Sequence, residues 1–154
     1  MPAFRAAYLI HGDDHGRIAE RRANLRTMAE TAAGTAGVEV YENEACTPEN
    51  IIGALTAMTF AMGRRFVIAD GVERWKESDV DPVAAALTSA DPETVTVAFF
   101  AREEGRSKAP AKLHEAVTQA GCGTSRSNLY QYASPPAMTS SRRTTTVARL
   151  LLLF

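Results

Sequence analysis

Short apolar segments alternate with amphipathic helical segments along the first 121 residues, and this alternation restricts the chain to few folds. Two parallel strands can pair only if a long crossover, usually a helix, joins them. The pattern therefore predicts a three-layer α/β domain, in which helices cover both faces of a mostly parallel sheet. Strands are predicted at residues 6–11, 37–42, 64–71 and 93–101.

Four helices are predicted between and after these strands. Each has a buried stripe at helical spacing or a capping residue at its start. The capping candidates are Asp13 or Asp14 for a helix at about 15–33, Thr47 with Pro48 for the second and Asp81 with Pro82 for the third. The fourth helix covers about 112–121.

The composition changes after Gly121. Residues 1–121 hold 13 basic and 18 acidic residues, a net charge of −5, whereas the last 33 residues hold four basic residues and no acidic one. That last segment has ten Ser or Thr and no lasting periodicity. We therefore expect a domain at 1–121 and an irregular tail at 122–154.

The cellular location of the protein and the redox state of its cysteines are predicted from the absence of a membrane-spanning segment and of a disulfide pattern. Its terminal apolar runs are shorter than the ~20 residues that span a bilayer, so no membrane contact is expected. The two cysteines, Cys46 and Cys122, have no zinc-ligand spacing and are too few for a disulfide-stabilised secreted fold. A reducing cytoplasm is the expected location.

The turn after the first strand lies where a nucleotide-binding protein would have its phosphate loop. It is formed by Gly12, Asp13, Asp14, Gly16 and Arg17. A working loop needs two glycines with four residues between them, followed by Lys and a hydroxyl residue, so that N–H groups and cations surround the phosphates, whereas only three residues separate Gly12 from Gly16. Carboxylates here would repel a triphosphate. We interpret the turn as a degenerate phosphate loop whose aspartates cap the helix, and expect no cofactor.

The acidic residues suggest one alternative function. Asp13 and Asp14 after the first strand, with Asp70 after the third, could form a phosphoacceptor or magnesium-dependent α/β enzyme. Against it, the fourth strand ends in Phe-Phe-Ala rather than a small hydroxyl residue.

The three histidines, His11, His15 and His114, have no evident nucleophile partner, and the acidic cluster Glu77, Asp79 and Asp81 is expected to be solvated surface. No metal site is predicted.

The end of the second helix offers a candidate binding surface. If that helix continues to Phe60, the ring points about 180° away from Ile51 and the core stripe. Phe60, Ala61 and Met62 would then form an exposed apolar knob rimmed by Arg64 and Arg65, suited to a partner's pocket. If the helix stops at Thr59, Phe60 turns inward. Geometry leaves both open.

Three segments together resemble one protein family. YLIHGDD, ALTAMTFAMGRRFVIADGVERW and TVAFFAREEGRSKAPAKLHEAV are similar, in order and spacing, to the amino-terminal part of the delta subunit of the bacterial DNA polymerase III clamp loader. The resemblance covers roughly residues 5–121. It implies the AAA+ fold, which is related to P-loop NTPases, with no working nucleotide site and no catalysis by the chain itself.

The same resemblance implies partners and roles. The delta subunit belongs to the DNA-directed DNA polymerase (nucleotidyltransferase) holoenzyme. It opens the sliding clamp by inserting a hydrophobic pair from the end of its second helix. The matching positions are Phe60 and Ala61, with Met62 adjacent; Ala61 departs from the bulky residue usual there. Other loader subunits are expected partners of the full-length family.

DNA contact is expected to be weak at most. Arg102, Arg106 and Lys108 form a basic loop that could contact a DNA backbone or a neighbouring subunit, since cations give affinity without reading sequence. The net charge of −5 on residues 1–121 opposes strong DNA binding.

Family members continue into a helical lid and a carboxyl-terminal collar. The resemblance stops near Gly121, so we hypothesise a reading-frame shift or a truncated gene model, which sequencing of the locus would test.

Overall fold

Five short strands and four helices alternate along the described residues of the computed structural model, which are 4–57, 63–120 and 124–126. The strands β1 to β5 are Ala7–Gly12, Val38–Glu42, Arg65–Asp70, Val95–Arg102 and Thr124–Arg126. The helices α1 to α4 are His15–Ala33, Pro48–Thr56, Glu77–Ser89 and Ala111–Gln119. The strands form one parallel sheet in the order β2-β3-β4-β1-β5.

The centre of the sheet is apolar on both faces. Every residue of β1 and β3 is buried, as expected for parallel strands that have helices above and below them. The register places Leu9 beside Phe99 and Ile10 beside Phe100. Because successive side chains point to opposite faces, Leu9 and Phe99 belong to one core and Ile10 and Phe100 to the other.

The helices cover these two cores unequally. Ile18 and Leu25 of α1 pack against one face of the sheet, while the buried stripes of α2, α3 and α4 pack against the other. The structure thus has three layers, one helix on one side and three on the other. The carboxyl ends of all the strands meet at one edge, where α1 begins.

Most element predictions are confirmed, but the start of α3 differs. We expected Asp81-Pro82 to begin this helix; it begins at Glu77, and Pro82 lies inside it. The backbone N–H of Lys76 donates to the Asp79 carboxylate at 2.8 Å, which caps the helix one turn earlier. The proline is therefore not the start signal of this helix; the Asp79 cap sets its start.

The fifth strand lies beyond the expected boundary at Gly121. Residues 124–126 pair in parallel with β1, with Leu9 beside Thr124 and His11 beside Arg126. The prediction of an irregular tail is therefore wrong for these three residues. A strand of three residues carries no detectable periodicity; the open edge of β1 supplies its hydrogen-bond partners. Residues 127–154 lie outside the described residues, and the frame-shift hypothesis stays a prediction.

Helix α4 is capped by a side chain from α3. Its first N–H groups have no partner within the helix. Ala111 N and Lys112 N donate to the two carboxylate oxygens of Glu77, at 2.6 and 3.0 Å. These hydrogen bonds lower the pKa of Glu77 below its ordinary value, and the one from the Lys112 backbone has the largest effect. The Lys112 ammonium also pairs with Asp81 at 2.8 Å, so the carboxylates of α3 fix the position of α4.

We expect Glu77→Gln to lower the free energy of unfolding by about 0.5–1 kcal/mol at pH 7, the usual size of a helix-cap effect. Because the folded pKa of Glu77 is depressed, its contribution is present above the unfolded pKa, about 4.3, and is lost as pH falls through the folded value. The difference between wild type and variant should therefore shrink below about pH 4.3. Urea denaturation at several pH values measures it. Glu93→Gln, in an exposed turn, is the control; identical pH profiles for the two variants would contradict the cap.

Candidate functional site

The turn between β1 and α1 is closed by its own carboxylate. Asp14 is the N-cap of α1: its Oδ1 accepts the backbone N–H of Arg17 at 3.0 Å, and its Oδ2 lies 3.4 Å from the Arg17 guanidinium. The predicted capping is confirmed. Gly16 is the second residue of the helix and takes no left-handed backbone angle. A carboxylate thus occupies the helix terminus that would attract an anion.

A second acidic residue lies at the end of β3. Asp70 is 6% exposed, and its Oδ2 lies 2.9 Å from a guanidinium nitrogen of Arg22 and 2.9 Å from one of Arg102. Arg22 also pairs with Glu42 at the end of β2. The network therefore joins α1 to the carboxyl ends of three neighbouring strands.

This network lines a cleft of about 260 Å³. Its wall holds three arginines and three carboxylates, so their formal charges cancel. The Arg74 guanidinium donates to the carbonyl of Asn43 at 2.6 Å and would clash with a Cβ at Gly71, whose φ is +119°. The lining residues are Arg22, Glu42, Asn43, Asp70, Gly71, Glu73, Arg74 and Arg102. A cleft whose charges are already compensated has little affinity for an added anion.

The three aspartates of the alternative enzyme are not brought together. Strand β4 lies between β1 and β3, which separates Gly12 and Asp70 by two strand spacings, roughly 10 Å. Asp13 and Asp14 are exposed, whereas Asp70 is buried in ion pairs. The described residues hold one cluster with metal-ligand geometry, and it contains none of the three. The geometry does not support a phosphoacceptor centre.

The basic loop divides into two parts. Arg102 already has partners within the domain: its guanidinium pairs with Asp70, and its backbone N–H lies 3.3 Å from a Glu73 carboxylate oxygen. Arg106 and Lys108 are exposed, on a turn closed by the Glu104–Ser107 bridge. Within the described residues their side chains have no hydrogen bond or ion pair. They are the cations available to a partner.

Helix α2 ends earlier than the knob prediction requires. It ends at Thr56, and Ala57 is extended, with φ −61° and ψ 121°. The argument that placed Phe60 at 180° from Ile51 on a continuous helix therefore does not apply. Phe60, Ala61 and Met62 lie outside the described residues, so their role in clamp binding stays a prediction.

The two arginines expected around the knob, Arg64 and Arg65, form hydrogen bonds with other parts of the domain. Arg65 is 5% exposed; it donates to the carbonyl oxygens of Ala54 and Ala57, each at 3.0 Å, and to Glu39 at 2.5 Å. Arg64 donates to Thr96 and to the carbonyl of Pro92. Arg65 is therefore no part of an exposed positive rim, whereas a rim at Arg64 stays a prediction, since residues 60–62 lie outside the described residues. From sequence, a charged residue next to an apolar segment is predicted to be exposed. Arg65 is instead buried, because it donates hydrogen bonds to the last carbonyls of α2.

A groove of about 590 Å³ lies beside the end of α2. Both described residues that flank the segment 58–62, Ala57 and Gly63, line it, together with residues from the end of α3 and the start of β4. Its lining is mixed: Leu55 and Val95 are apolar, and Asp91 is charged.

Sequence reasoning missed a cluster of side chains at the end of β1. His11, Glu103 and His114 each place a possible ligand atom within 4.8 Å of the others. The sequence separates them by up to 103 positions, and no spacing motif joins them. The available signal was a histidine at the carboxyl end of a predicted strand, but nothing in the sequence links Glu103 to it.

The free thiol of Cys46 is buried, which raises its pKa to about 12, and it is no part of these sites. Cys122 lies outside the described residues.

Comparison with known proteins identifies the fold. No family model matches the sequence, and no curated relative matches it. Among solved structures, a DNA polymerase III gamma subunit-related protein from Thermotoga maritima is similar, with a TM-score of 0.53 at 16% identity. The similarity covers 81% of this chain and 42% of that protein, so the chain spans about two fifths of its length. The predicted three-layer α/β fold class is confirmed: helices cover both faces of a parallel sheet, and the fold is similar to that of the Thermotoga maritima protein. None of the described helices is long and apolar enough to cross a bilayer.

We expect Asp70→Asn to destabilise the protein by about 3 kcal/mol, because it leaves the Arg22 and Arg102 guanidinium groups without their shared carboxylate. The value is at the low end for a broken buried pair, since the Arg102 side chain is 41% exposed. Urea denaturation measures the change. Asp13→Asn, an exposed aspartate on the neighbouring turn, should change stability by less than about 0.5 kcal/mol. Equal effects would show that the ion-pair network does not hold the strand ends together.

Proposed function

We propose that this chain is a delta-type clamp-loader domain of the DNA replication machinery. It binds the sliding clamp through Phe60, with Ala61 and Met62 beside it, and catalyses no reaction itself. The proposal rests on one observation: an AAA+-type fold occurs together with a β1–α1 turn that is closed by the Asp14 carboxylate.

The fold supports a clamp-loader relationship. The chain has a fold similar to that of a DNA polymerase III gamma subunit-related protein, with a TM-score of 0.53. Because that similarity is at 16% identity and covers 42% of that protein, assembly with loader subunits is part of the proposal.

The β1–α1 turn supports the delta-type assignment over an ATP-hydrolysing one. A phosphate loop stabilises a triphosphate with unpaired N–H groups and a lysine. Here the N–H of Arg17 is already bonded to Asp14, and the carboxylate repels phosphate. A subunit of this kind contributes a binding surface and leaves ATP to its neighbours.

The end of α2 supports the position of the clamp-binding segment. Arg65 ties the carbonyls of Ala54 and Ala57 to β3, so the chain leaves the helix at a fixed point. A fixed departure point lowers the entropy lost when the following segment binds. Burying the rings and thioethers of such a segment in an apolar pocket gives the free energy, since a fully buried Phe or Met contributes about 1.5–3 kcal/mol.

Arg106 and Lys108 supply a secondary contact in this proposal. They are exposed and uncompensated within the described residues, and they fit a DNA backbone or an acidic surface of a neighbouring subunit.

Purified bacterial sliding clamp should bind the chain, and Phe60→Ala should weaken binding by about 30-fold or more, the loss of a hot-spot residue worth about 2 kcal/mol. Surface plasmon resonance gives the dissociation constants. Met28→Ala removes a similar apolar group from α1, on the opposite face of the sheet from α2, and should bind as wild type does. Equal binding by wild type and Phe60→Ala would refute the site.

Arg65→Ala should loosen the end of α2, with a stability loss of about 2 kcal/mol; the partner Glu39 is 36% exposed and can be solvated once alone. Hydrogen exchange at the Ala57 amide, which bonds to Gly53 O at 2.9 Å, should accelerate, and clamp affinity should fall. Arg64→Ala is the matched control, since Arg64 contacts Pro92 and Thr96 instead. If Ala57 exchanges equally in both variants, Arg65 does not hold this helix end.

A further inference from the structure

We propose that His11, Glu103 and His114 form a binding site for a divalent transition-metal ion of the zinc type. The site does not depend on the clamp-loader assignment, because it rests on the geometry of these three side chains. They come from three separate elements: His11 from the end of β1, Glu103 from the residue after β4, and His114 from α4.

The distances fit a site that closes on a metal. His11 Nδ1 lies 3.1 Å from Glu103 Oε1, and one atom of each of the three residues lies within 4.8 Å of the others. Zinc binds imidazole nitrogen and carboxylate oxygen at about 2.0–2.2 Å with tetrahedral angles, which places ligand atoms about 3.3–3.6 Å apart. The His11–Glu103 pair is already near that separation, and binding would require the His114 nitrogen, which lies within 4.8 Å of the other two ligand atoms, to move closer.

The surroundings favour binding over free solvation. His11 is 4% exposed and the Glu103 side chain 14%, while His114 is half-buried. The imidazole rings of His11 and His114 meet edge to face, with centroids 4.5 Å apart. A carboxylate in so sheltered a position interacts more strongly with a cation than it would in water.

The cluster also has an outer shell that orients it. The backbone N–H of Ala109 donates to Glu103 Oε1 at 3.3 Å. Hydrogen bonds of this kind fix the orientation of ligating side chains. A buried histidine satisfied by one glutamate would explain His11 and Glu103 alone. It does not explain why α4 brings a second imidazole to the same carboxylate.

The donor set selects the metal. Two imidazoles and a carboxylate suit Zn²⁺, with Ni²⁺ and Cu²⁺ as competitors, and not Mg²⁺ or Ca²⁺, which prefer oxygen ligands. Three protein ligands leave a fourth position for water. The ion would join β1, the loop after β4 and α4 beside the degenerate phosphate loop, and so stabilise this edge of the sheet.

Metal binding is tested on the full chain after chelator treatment, in a Cys122→Ser background that removes a competing thiol. Zn²⁺ titrated against a chromogenic chelator should bind at one equivalent and raise Tm by about 5 °C or more. Co²⁺ should give visible absorption bands of a nitrogen- and oxygen-ligated tetrahedral ion, without thiolate bands.

The variants decide which residues bind. His114→Asn and Glu103→Gln should each lower Zn²⁺ affinity at least 100-fold, while Glu104→Gln, which removes an exposed carboxylate next to the cluster, should bind as the parent does. Urea midpoints in chelator show whether each variant is folded. If the folded parent binds no equivalent of Zn²⁺, or if His114→Asn and Glu103→Gln bind as the parent does, the proposal is overturned.

Discussion

The structure depends on a parallel sheet whose central strands are apolar on both faces. Strands such as β1 and β4 cannot face water on either side, so helices must cover both, and each crossover returns the chain to the same end of the sheet. As a result the carboxyl ends of the strands collect at one edge. Polar residues at the ends of different strands therefore meet residues that are distant in the sequence. Asp70 pairs with Arg22 and Arg102, and Glu103 lies beside His11.

Open α/β sheets bind their ligands outside the carboxyl ends of the strands, and here the charges at that edge are compensated by the protein itself. The Asp14 carboxylate accepts the backbone N–H of Arg17, and the Asp70 carboxylate pairs with two guanidinium groups. Each interaction stabilises the domain and removes a group that a phosphate would need. The edge has thus become structural, apart from the His11, Glu103 and His114 cluster, whose donor set suits a cation and not an anion.

The proposed binding surface lies elsewhere, where α2 ends. Arg65 looks in sequence like one of two exposed cations beside an apolar segment. It is buried, because the last carbonyls of α2 and the Glu39 carboxylate satisfy its donors. Positioning by a buried arginine costs desolvation, which three hydrogen bonds offset. The segment that follows therefore starts from a rigid point, which suits recognition of a preformed pocket.

The sequence by itself determined the alternation of strands and helices, the three layers and an aspartate cap at the start of α1, because periodicity and local hydrogen bonding are encoded within a few residues of one another. It could not determine the early start of α3, the short β5 strand or the roles of Arg64 and Arg65. Only the tertiary structure decided these, and only it brought His11, Glu103 and His114 together. Each depends on partners that are distant in the chain, such as Glu39 for Arg65 and the edge of β1 for β5, and contacts of that kind leave no spacing in the sequence.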